Sequence, residues 1–256
     1  MSASPFLCIG HRGAMGHVAE NTLASIHKAL ELGARCVEID VYHVDGHLVV
    51  FHDDRLERTT NGRGNLSDQT FDYLRSLDAG GGEPIPTLEE VCCEIEGRAC
   101  INIELKGPNT AAPVAAFVKG LIGKGWSYKS ILVSSFDHRA LVETKLLDPL
   151  IQLGVLIKRV MAEGAEFAAE LGAFSVHPSL KCVDQHFVDD AHARNINVYV
   201  YTVNDPADIA RMHGLGVDGV FTNFPERVVT QYAQPGVEGV WTSSKHEPTA
   251  NGRING

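Results

Sequence analysis

Charged side chains stand at the ends of three short apolar runs, in residue types that suit metal and phosphate chemistry. Carboxylates that converge repel one another unless a cation lies among them, and their oxygens suit Mg²⁺ or Ca²⁺ better than a softer metal. A Glu-x-Asp pair alone is also common on solvated surfaces, so the joint pattern carries the interpretation. The residues are His11 and Arg12 after the first run, Glu38 and Asp40 in the second, and Glu104 and Lys106 in the third.

A second histidine, His52, follows a predicted β-hairpin. A three-residue loop over 44–46 would pair residues 43 and 47 and would bring His52 opposite Glu38, on the same face of the sheet. A two-residue loop would place His52 on the other face, so this expectation depends on the turn type. With His11, the hairpin would give the site two imidazoles.

Two imidazoles, a divalent cation and two basic side chains suit the cleavage of a phosphodiester. The cation and the basic side chains balance the phosphoryl oxygens. One imidazole takes a proton from the nucleophile, and the other gives a proton to the leaving alkoxide. The combination therefore predicts a metal-assisted phosphodiesterase.

The elements that must position these side chains follow from an alternation of about eight β-branched runs with longer helical stretches. Eight such units in about 230 residues match a (β/α)₈ barrel, in which functional groups stand at the carboxyl ends of the strands. A doubly wound open sheet is the competing arrangement, but no G-x-G-x-x-G follows the first strand. We predict an α/β protein with a TIM-barrel fold.

Two segments depart from this alternation. Residues 41–86 contain the hairpin and a stretch rich in Gly, Asn, Thr and Asp. They predict a small capping insertion after the second strand, at the face where long loops build substrate pockets. The barrel domain is predicted over 1–232. Residues 233–256 lack periodicity and are predicted to form a loose C-terminal tail.

The composition excludes several classes of protein. The 256 residues are 44 % hydrophobic and 21 % charged, which is typical of a globular protein. The net charge is −10 and no Lys/Arg run exists, which argues against a nucleic-acid partner. No apolar run approaches the roughly 20 residues that span a bilayer, and the first residues lack a secretory signal. We expect a cytoplasmic protein with a small-molecule substrate and no membrane span.

A series of motifs in order along the chain resembles the glycerophosphodiester phosphodiesterases, most closely their compact bacterial cytosolic members. The resemblance extends over about residues 6–228. The main motifs are Gly10–Gly13 (GHRG), Glu20–Thr22 (ENT), Glu38–Asp40 (EID), His52–Asp53 (HD), Ile85–Leu88 (IPTL), Glu104–Lys106 (ELK), Ser134–Phe136 (SSF), Tyr201–Asn204 (YTVN) and Gly216–Val220 (GVDGV).

This resemblance implies a TIM barrel with one divalent cation, Mg²⁺ or Ca²⁺. It also implies metal-dependent hydrolysis of sn-glycero-3-phosphodiesters to an alcohol and sn-glycerol 3-phosphate. His11 and His52 would form the acid–base pair, with His11 favoured as base and His52 as acid. Asn21 is expected to cap the first helix. The remaining site residues are the metal ligands Glu38, Asp40 and Glu104, the phosphate-binding Arg12 and Lys106, and the pocket residues Glu20, Phe136 and Tyr201.

Three positions depart from the family pattern and leave the preferred alcohol open. Ala19 stands where many members have Pro, Tyr201 where many have Trp, and Asn223 where many have Asp. The first attack, by a glycerol hydroxyl that forms a cyclic phosphate or directly by water, is also left open. These positions lie at the rim of the pocket and leave the proposed catalytic set intact.

Two other functions fit the same barrel. A lysophospholipase D-type enzyme would need a groove for an acyl chain, and the insertion lacks a long apolar stretch. A catalytically silent binding or scaffold protein would need no paired acid and base, whereas both His11 and His52 are present. The sequence leaves the oligomeric state open.

Overall fold

Parallel strands enclosed by helices dominate the computed structural model, which describes residues 6–158, 163–234, 236 and 240–241. The strands are β1 (Leu7–His11), β2 (Cys36–Val44), β3 (His47–Val50), β4 (Cys100–Leu105), β5 (Ile131–Ser135), β6 (Gln152–Ile157), β7 (Ser175–Pro178), β8 (Asn197–Val200) and β9 (Gly219–Thr222). The α-helices are α1 (Leu23–Glu31), α2 (Phe71–Arg75), α3 (Leu88–Ile95), α4 (Ala111–Gly123), α5 (His138–Leu147), α6 (Glu163–Leu171), α7 (Gln185–Ala193), α8 (Pro206–Gly214) and α9 (Glu226–Val229).

All strands except β3 form a closed parallel barrel. The order is β1-β9-β8-β7-β6-β5-β4-β2, and pairing of β1 with β2 closes the ring. The predicted TIM-barrel fold is confirmed. None of the described helices has the length and apolar character needed to cross a membrane.

The strand register places the acidic residues at one level of the barrel. Asp40 on β2 pairs with Glu104 on β4, and Glu38 pairs with Asn102. On the other side of β2, Glu38 pairs with His11 of β1. Because alternate residues face the same side of a strand, this register directs the carboxylates into the barrel mouth.

The hairpin between β2 and β3 has a two-residue loop, so the expected three-residue loop is wrong. Val44 pairs with His47, and Asp45 and Gly46 have φ values of 50° and 78°. Two central residues with positive φ are typical of a type I′ turn, whose twist matches that of the strands. His52 nevertheless reaches the barrel mouth, because β3 ends at Val50 and strand alternation no longer applies.

The insertion after the hairpin has a small apolar core of its own. The side chains of Tyr42, Leu56, Leu66, Leu74 and Ile85 form part of this buried cluster. A 3-10 helix over Leu66–Asp68 and helix α2 provide its regular structure. This core packs the segment as a cap beside the mouth.

Helix α1 begins with a different cap from the one expected. Thr22 is the N-cap, and its hydroxyl accepts a hydrogen bond from the backbone N–H of Ser25. Asn21 has a φ of 57° and directs its side chain to Asp40 instead. The expectation that Asn21 caps the helix is therefore wrong, and its amide belongs to the site.

The amino-terminal end of the barrel is covered by residues from beyond α9. Trp241 is fully buried and packs edge-on against Phe174 and Tyr199, at centroid distances of 6.0 and 5.5 Å. The Gln152 amide donates a 2.8 Å hydrogen bond to the Trp241 carbonyl. Gln234 accepts a hydrogen bond from the backbone N–H of Cys8. These contacts hold the described residues 234 and 241 against the barrel, and residues 235, 237–239 and 242–256 of the predicted loose tail lie outside the described part.

We expect Trp241→Ala to lower the free energy of unfolding by about 3–5 kcal/mol, because it removes a large buried aromatic side chain. Trp241→Phe should retain most of the stability, since the indole Nε1 has no partner among the described residues. Urea denaturation followed by circular dichroism measures both. Equal midpoints for Trp241→Ala and the parent would contradict a packing role.

Candidate active site

Three buried carboxylates form the centre of the barrel mouth. One oxygen each from Glu38, Asp40 and Glu104 lies within 4.8 Å of the others. Burial, followed by repulsion from Asp40, raises the pKa of Glu38 well above its usual value and that of Glu104 to about 7. Glu38 Oε1 has no partner among the described residues. Crowded oxygen ligands with one unsatisfied atom fit a hard divalent cation.

Neighbouring donors hold the cluster in place. The Asn21 amide donates to Asp40 Oδ2 at 2.9 Å, and Arg12 Nε lies 3.2 Å from the same oxygen. The backbone N–H of Arg12 donates to Glu38 Oε2 at 3.0 Å. Arg12 adopts a φ of 51°, and Gly13, with a φ of 81°, follows against the backbone of Ser25. A Cβ at Gly13 would lie 2.5 Å from Ser25, so this turn requires glycine.

Two basic side chains border the carboxylates. Lys106 Nζ lies 3.1 Å from Glu104 Oε1 and 3.6 Å from Asp40 Oδ1. Burial would lower the pKa of Lys106, but Glu104 and Asp40 raise it above its usual value, so the ammonium stays charged. Arg12 and Lys106 both line the cavity at the mouth, where an anion could contact them.

His11 is held by the side-chain amide of Asn223, which directly follows the last strand, β9. Its Nδ1 lies 2.7 Å from Asn223 Oδ1. Because an amide oxygen only accepts, Nδ1 carries the proton and the lone pair of Nε2 is available. Burial, followed by the charge of Arg12, lowers the pKa of His11 to about 4. At neutral pH this ring is therefore neutral and able to accept a proton.

His52 has a carboxylate partner instead. Its Nδ1 lies 2.5 Å from Asp53 Oδ1, and Arg58 binds both oxygens of Asp53. The hydrogen bonds from Arg58, together with that from His52, keep the pKa of Asp53 well below its usual range. An ionised Asp53 orients the imidazole and balances a positive charge on it.

Glu20 does not line the cavity at the barrel mouth. Its carboxylate bridges Arg12 at 2.6 Å and Arg58 at 2.8 Å. Burial alone would raise the pKa of Glu20, but the hydrogen bonds from Arg58 and Arg12 lower it to about 2. A separate open groove of about 600 Å³ includes Glu20 and Arg58, but neither predicted catalytic histidine. Glu20 thus connects the insertion to the loop after β1.

The cavity at the barrel mouth, of about 350 Å³, brings most of the predicted residues together. Asp40 and Glu20 are not lining residues, and each contacts the lining residue Arg12. Phe136 and Tyr201 form an edge-to-face aromatic pair with ring centroids 5.7 Å apart. The predicted residues that line it are His11, His52, Arg12, Lys106, Glu38, Glu104, Phe136 and Tyr201.

Sequence reasoning assigned no site role to four residues that shape the site. Asp53 directly follows His52 in the HD motif, and Asn223 directly follows β9, so both positions carried a signal. Arg58, from the insertion, binds Asp53 and is thereby linked to His52. Lys158 follows β6 and also lines the cavity, with no motif to mark it.

Comparisons with known proteins agree on one family. The profile of the Glycerophosphoryl diester phosphodiesterase family matches residues 11–227. A glycerophosphodiester phosphodiesterase of Caldanaerobacter subterraneus subsp. tengcongensis is 35 % identical over 235 residues, covering 87 % of this chain and 96 % of that protein. A second, from Bacillus altitudinis, is 38 % identical over 232 residues, covering 86 % and 95 %.

A solved structure shows the same similarity in three dimensions. It is a phosphodiesterase of Oleispira antarctica in complex with the product sn-glycerol-3-phosphate. The two chains are 33 % identical with a TM-score of 0.81, and the match covers 88 % of this chain and 96 % of that one.

Addition of Mg²⁺ or Ca²⁺ to metal-free protein should raise the Tm, because a ligand that binds only the folded state stabilises it by about 2.7 kcal/mol at 100 times its Kd. Glu38→Gln should lose most of this rise. The metal-free variant should melt no lower than the metal-free parent, since the substitution relieves repulsion. Differential scanning fluorimetry measures both effects.

The matched control for this experiment is Glu89→Gln, which changes an exposed glutamate paired with Lys124. It should keep the full rise in Tm. The same cation response in Glu38→Gln and Glu89→Gln would show that the carboxylate cluster does not bind the cation.

Proposed function

The chain belongs to the glycerophosphoryl diester phosphodiesterase family, and we propose that it hydrolyses sn-glycero-3-phosphodiesters to an alcohol and sn-glycerol 3-phosphate. The proposal includes a bound divalent cation, Mg²⁺ or Ca²⁺, and an acid–base pair of histidines. Its main support is the presence of two differently partnered imidazoles in one cavity with the carboxylate cluster. The product named for the Oleispira antarctica structure adds to this support.

Glu38, Asp40 and Glu104 would hold the cation. When bound, a divalent cation supplies positive charge that stabilises the developing charge on phosphoryl oxygens. The donor set suits that role, because all three ligands are carboxylates and two of them ionise only at a cost without a cation nearby. Asn21 and Arg12 fix Asp40, so the ligand geometry exists before substrate arrives.

Arg12 and Lys106 would bind the non-bridging phosphoryl oxygens. Both are cationic and both line the cavity beside the carboxylates. Glu20 would act through Arg12 by orienting its guanidinium, rather than by touching substrate. Phe136 and Tyr201 would contact the alcohol side of the diester with apolar ring surface.

His11 would be the general base and His52 the general acid. His11 Nε2 accepts the proton of the attacking hydroxyl, while Asn223 retains the proton-bearing Nδ1. His52 donates its Nε2 proton to the leaving alkoxide, and Asp53 balances the charge of the ring before the transfer. With water as the attacking group, these two transfers complete the reaction. With a glycerol hydroxyl they yield a cyclic phosphate, which water then opens while His52 takes a proton from the water and His11 returns its proton to the glycerol oxygen.

The proposed products should appear together when glycerophosphocholine is the substrate. We expect choline and sn-glycerol 3-phosphate, and we expect a chelator to abolish turnover and Mg²⁺ or Ca²⁺ to restore it. Phosphorus NMR and a dehydrogenase-coupled assay for glycerol 3-phosphate measure this. Release of phosphocholine, or full activity after verified metal removal, would overturn the proposed function.

Replacement of either histidine tests the acid–base pair. His11→Ala and His52→Ala should each lower kcat by about 10²–10⁴-fold, the usual contribution of a general acid or base. The double variant should lose far less than the product of both effects, because the residues serve one reaction cycle. Steady-state kinetics with a coupled assay provides the rates.

A nitrophenyl ester of glycerol phosphate distinguishes the two roles. Its leaving group needs no proton, so the ester should rescue His52→Ala and leave His11→Ala slow. His186→Ala, which changes an exposed residue of α7, is the matched control and should keep the parent rate. Equal rescue of both variants would mean that the assignment of acid and base is wrong.

A further inference from the structure

A third basic side chain, Lys158, faces the cavity from the strand across the barrel. It directly follows β6, which is four strands from β1 in either direction around the eight-stranded ring and therefore lies opposite it. Arg12 extends from the β1 side, and Lys106 from the β4 side. Lys158 thus approaches the reaction centre from the side where Phe136 and Tyr201 stand.

The ammonium of Lys158 lies over the aromatic wall of the cavity, which consists of Phe136 and Tyr201. Its Nζ lies 4.8 Å from the centroid of the Phe136 ring, within the range of a cation–π contact. The ring of Tyr201 meets Phe136 edge-on, and the Tyr201 hydroxyl donates a 2.9 Å hydrogen bond to the Ile157 carbonyl. This bond ties the end of β6 to β8 and fixes the residue before Lys158.

Lys158 differs from the other two basic residues in its charged neighbours. Arg12 and Lys106 each contact carboxylates, which neutralise them. Within residues 6–158 and the other described segments, Lys158 forms no ion pair. Among the described residues, therefore, no carboxylate pairs with the ammonium that faces the part of the cavity assigned to the alcohol of the substrate.

We propose that Lys158 sets the head-group specificity of this site. It favours glycerophosphodiesters whose alcohol carries no positive charge and disfavours choline and ethanolamine esters. Aromatic faces are the usual binding surface for a quaternary ammonium group. Here the Phe136 face is taken by Lys158, and a cationic head group would meet a like charge as well. This inference rests on the proposed function, since it assigns the aromatic wall to the leaving alcohol.

A pair of substrates of equal shape isolates the effect of charge. Glycerophosphocholine and the glycerophosphodiester of 3,3-dimethylbutanol differ only in the replacement of the ammonium nitrogen by carbon. The parent enzyme should show a kcat/KM about 5- to 10-fold higher for the neutral ester, the scale of the repulsion between two like charges about 4 Å apart in water. Added salt should reduce this ratio, because screening weakens the repulsion.

Variants at Lys158 should change the ratio in a graded way. Lys158→Met keeps the length of the side chain and should remove the preference, while Lys158→Glu should reverse it in favour of glycerophosphocholine. Lys119→Met, which removes an exposed lysine from the outer helix α4, changes the net charge equally and should keep the parent ratio.

Three outcomes would overturn this inference. A parent ratio near one that Lys158→Met leaves unchanged means that Lys158 has no influence on the alcohol. An equal loss of kcat/KM for both esters in Lys158→Met means that the residue binds the phosphate instead. Failure of the parent enzyme to hydrolyse either ester overturns the proposed function itself, and the inference falls with it.

Discussion

Three carboxylates are held within 4.8 Å of one another in a buried position, and the surrounding structure compensates for their repulsion. The strand register cannot separate them, since Asp40 and Glu104 are direct partners on adjacent parallel strands. Arg12 and Lys106 supply positive charge, and Asn21 supplies a hydrogen bond. The cluster therefore dictates which residue types can surround it.

Long-range contacts join the cluster to the rest of the chain. The hydrogen bond between His11 and Asn223 connects the first and last strands, which are also neighbours in the closed barrel. Arg58 binds both Glu20 and Asp53, so one guanidinium from the insertion links the β1 loop to the partner of His52. The cap and the barrel mouth are thus parts of one electrostatic network.

The sequence predicted the fold and the acidic centre because both depend on local regularity. Strand alternation alone places Glu38 and Asp40 on one face. The turn of the hairpin was harder to predict, because Asp45 and Gly46 suit a type I′ turn as well as a three-residue loop. The position of His52 does not follow from strand alternation, because His52 lies beyond the end of β3. Lys158 carries no pattern at all, because its role depends on which strand stands opposite it in the closed ring.

The buried core at the amino-terminal end of the barrel is complete only after Trp241, a late residue of the chain, has been synthesised. The inner residues Leu7 and Ile9 are synthesised first, yet they share a buried layer with a tryptophan that emerges after every strand of the described barrel. Until then, Phe174 and Tyr199 at the amino-terminal end of the nascent barrel lack their aromatic partner. A chain that stalls before this residue therefore presents apolar surface to chaperones and proteases, although all eight strands of its ring already exist.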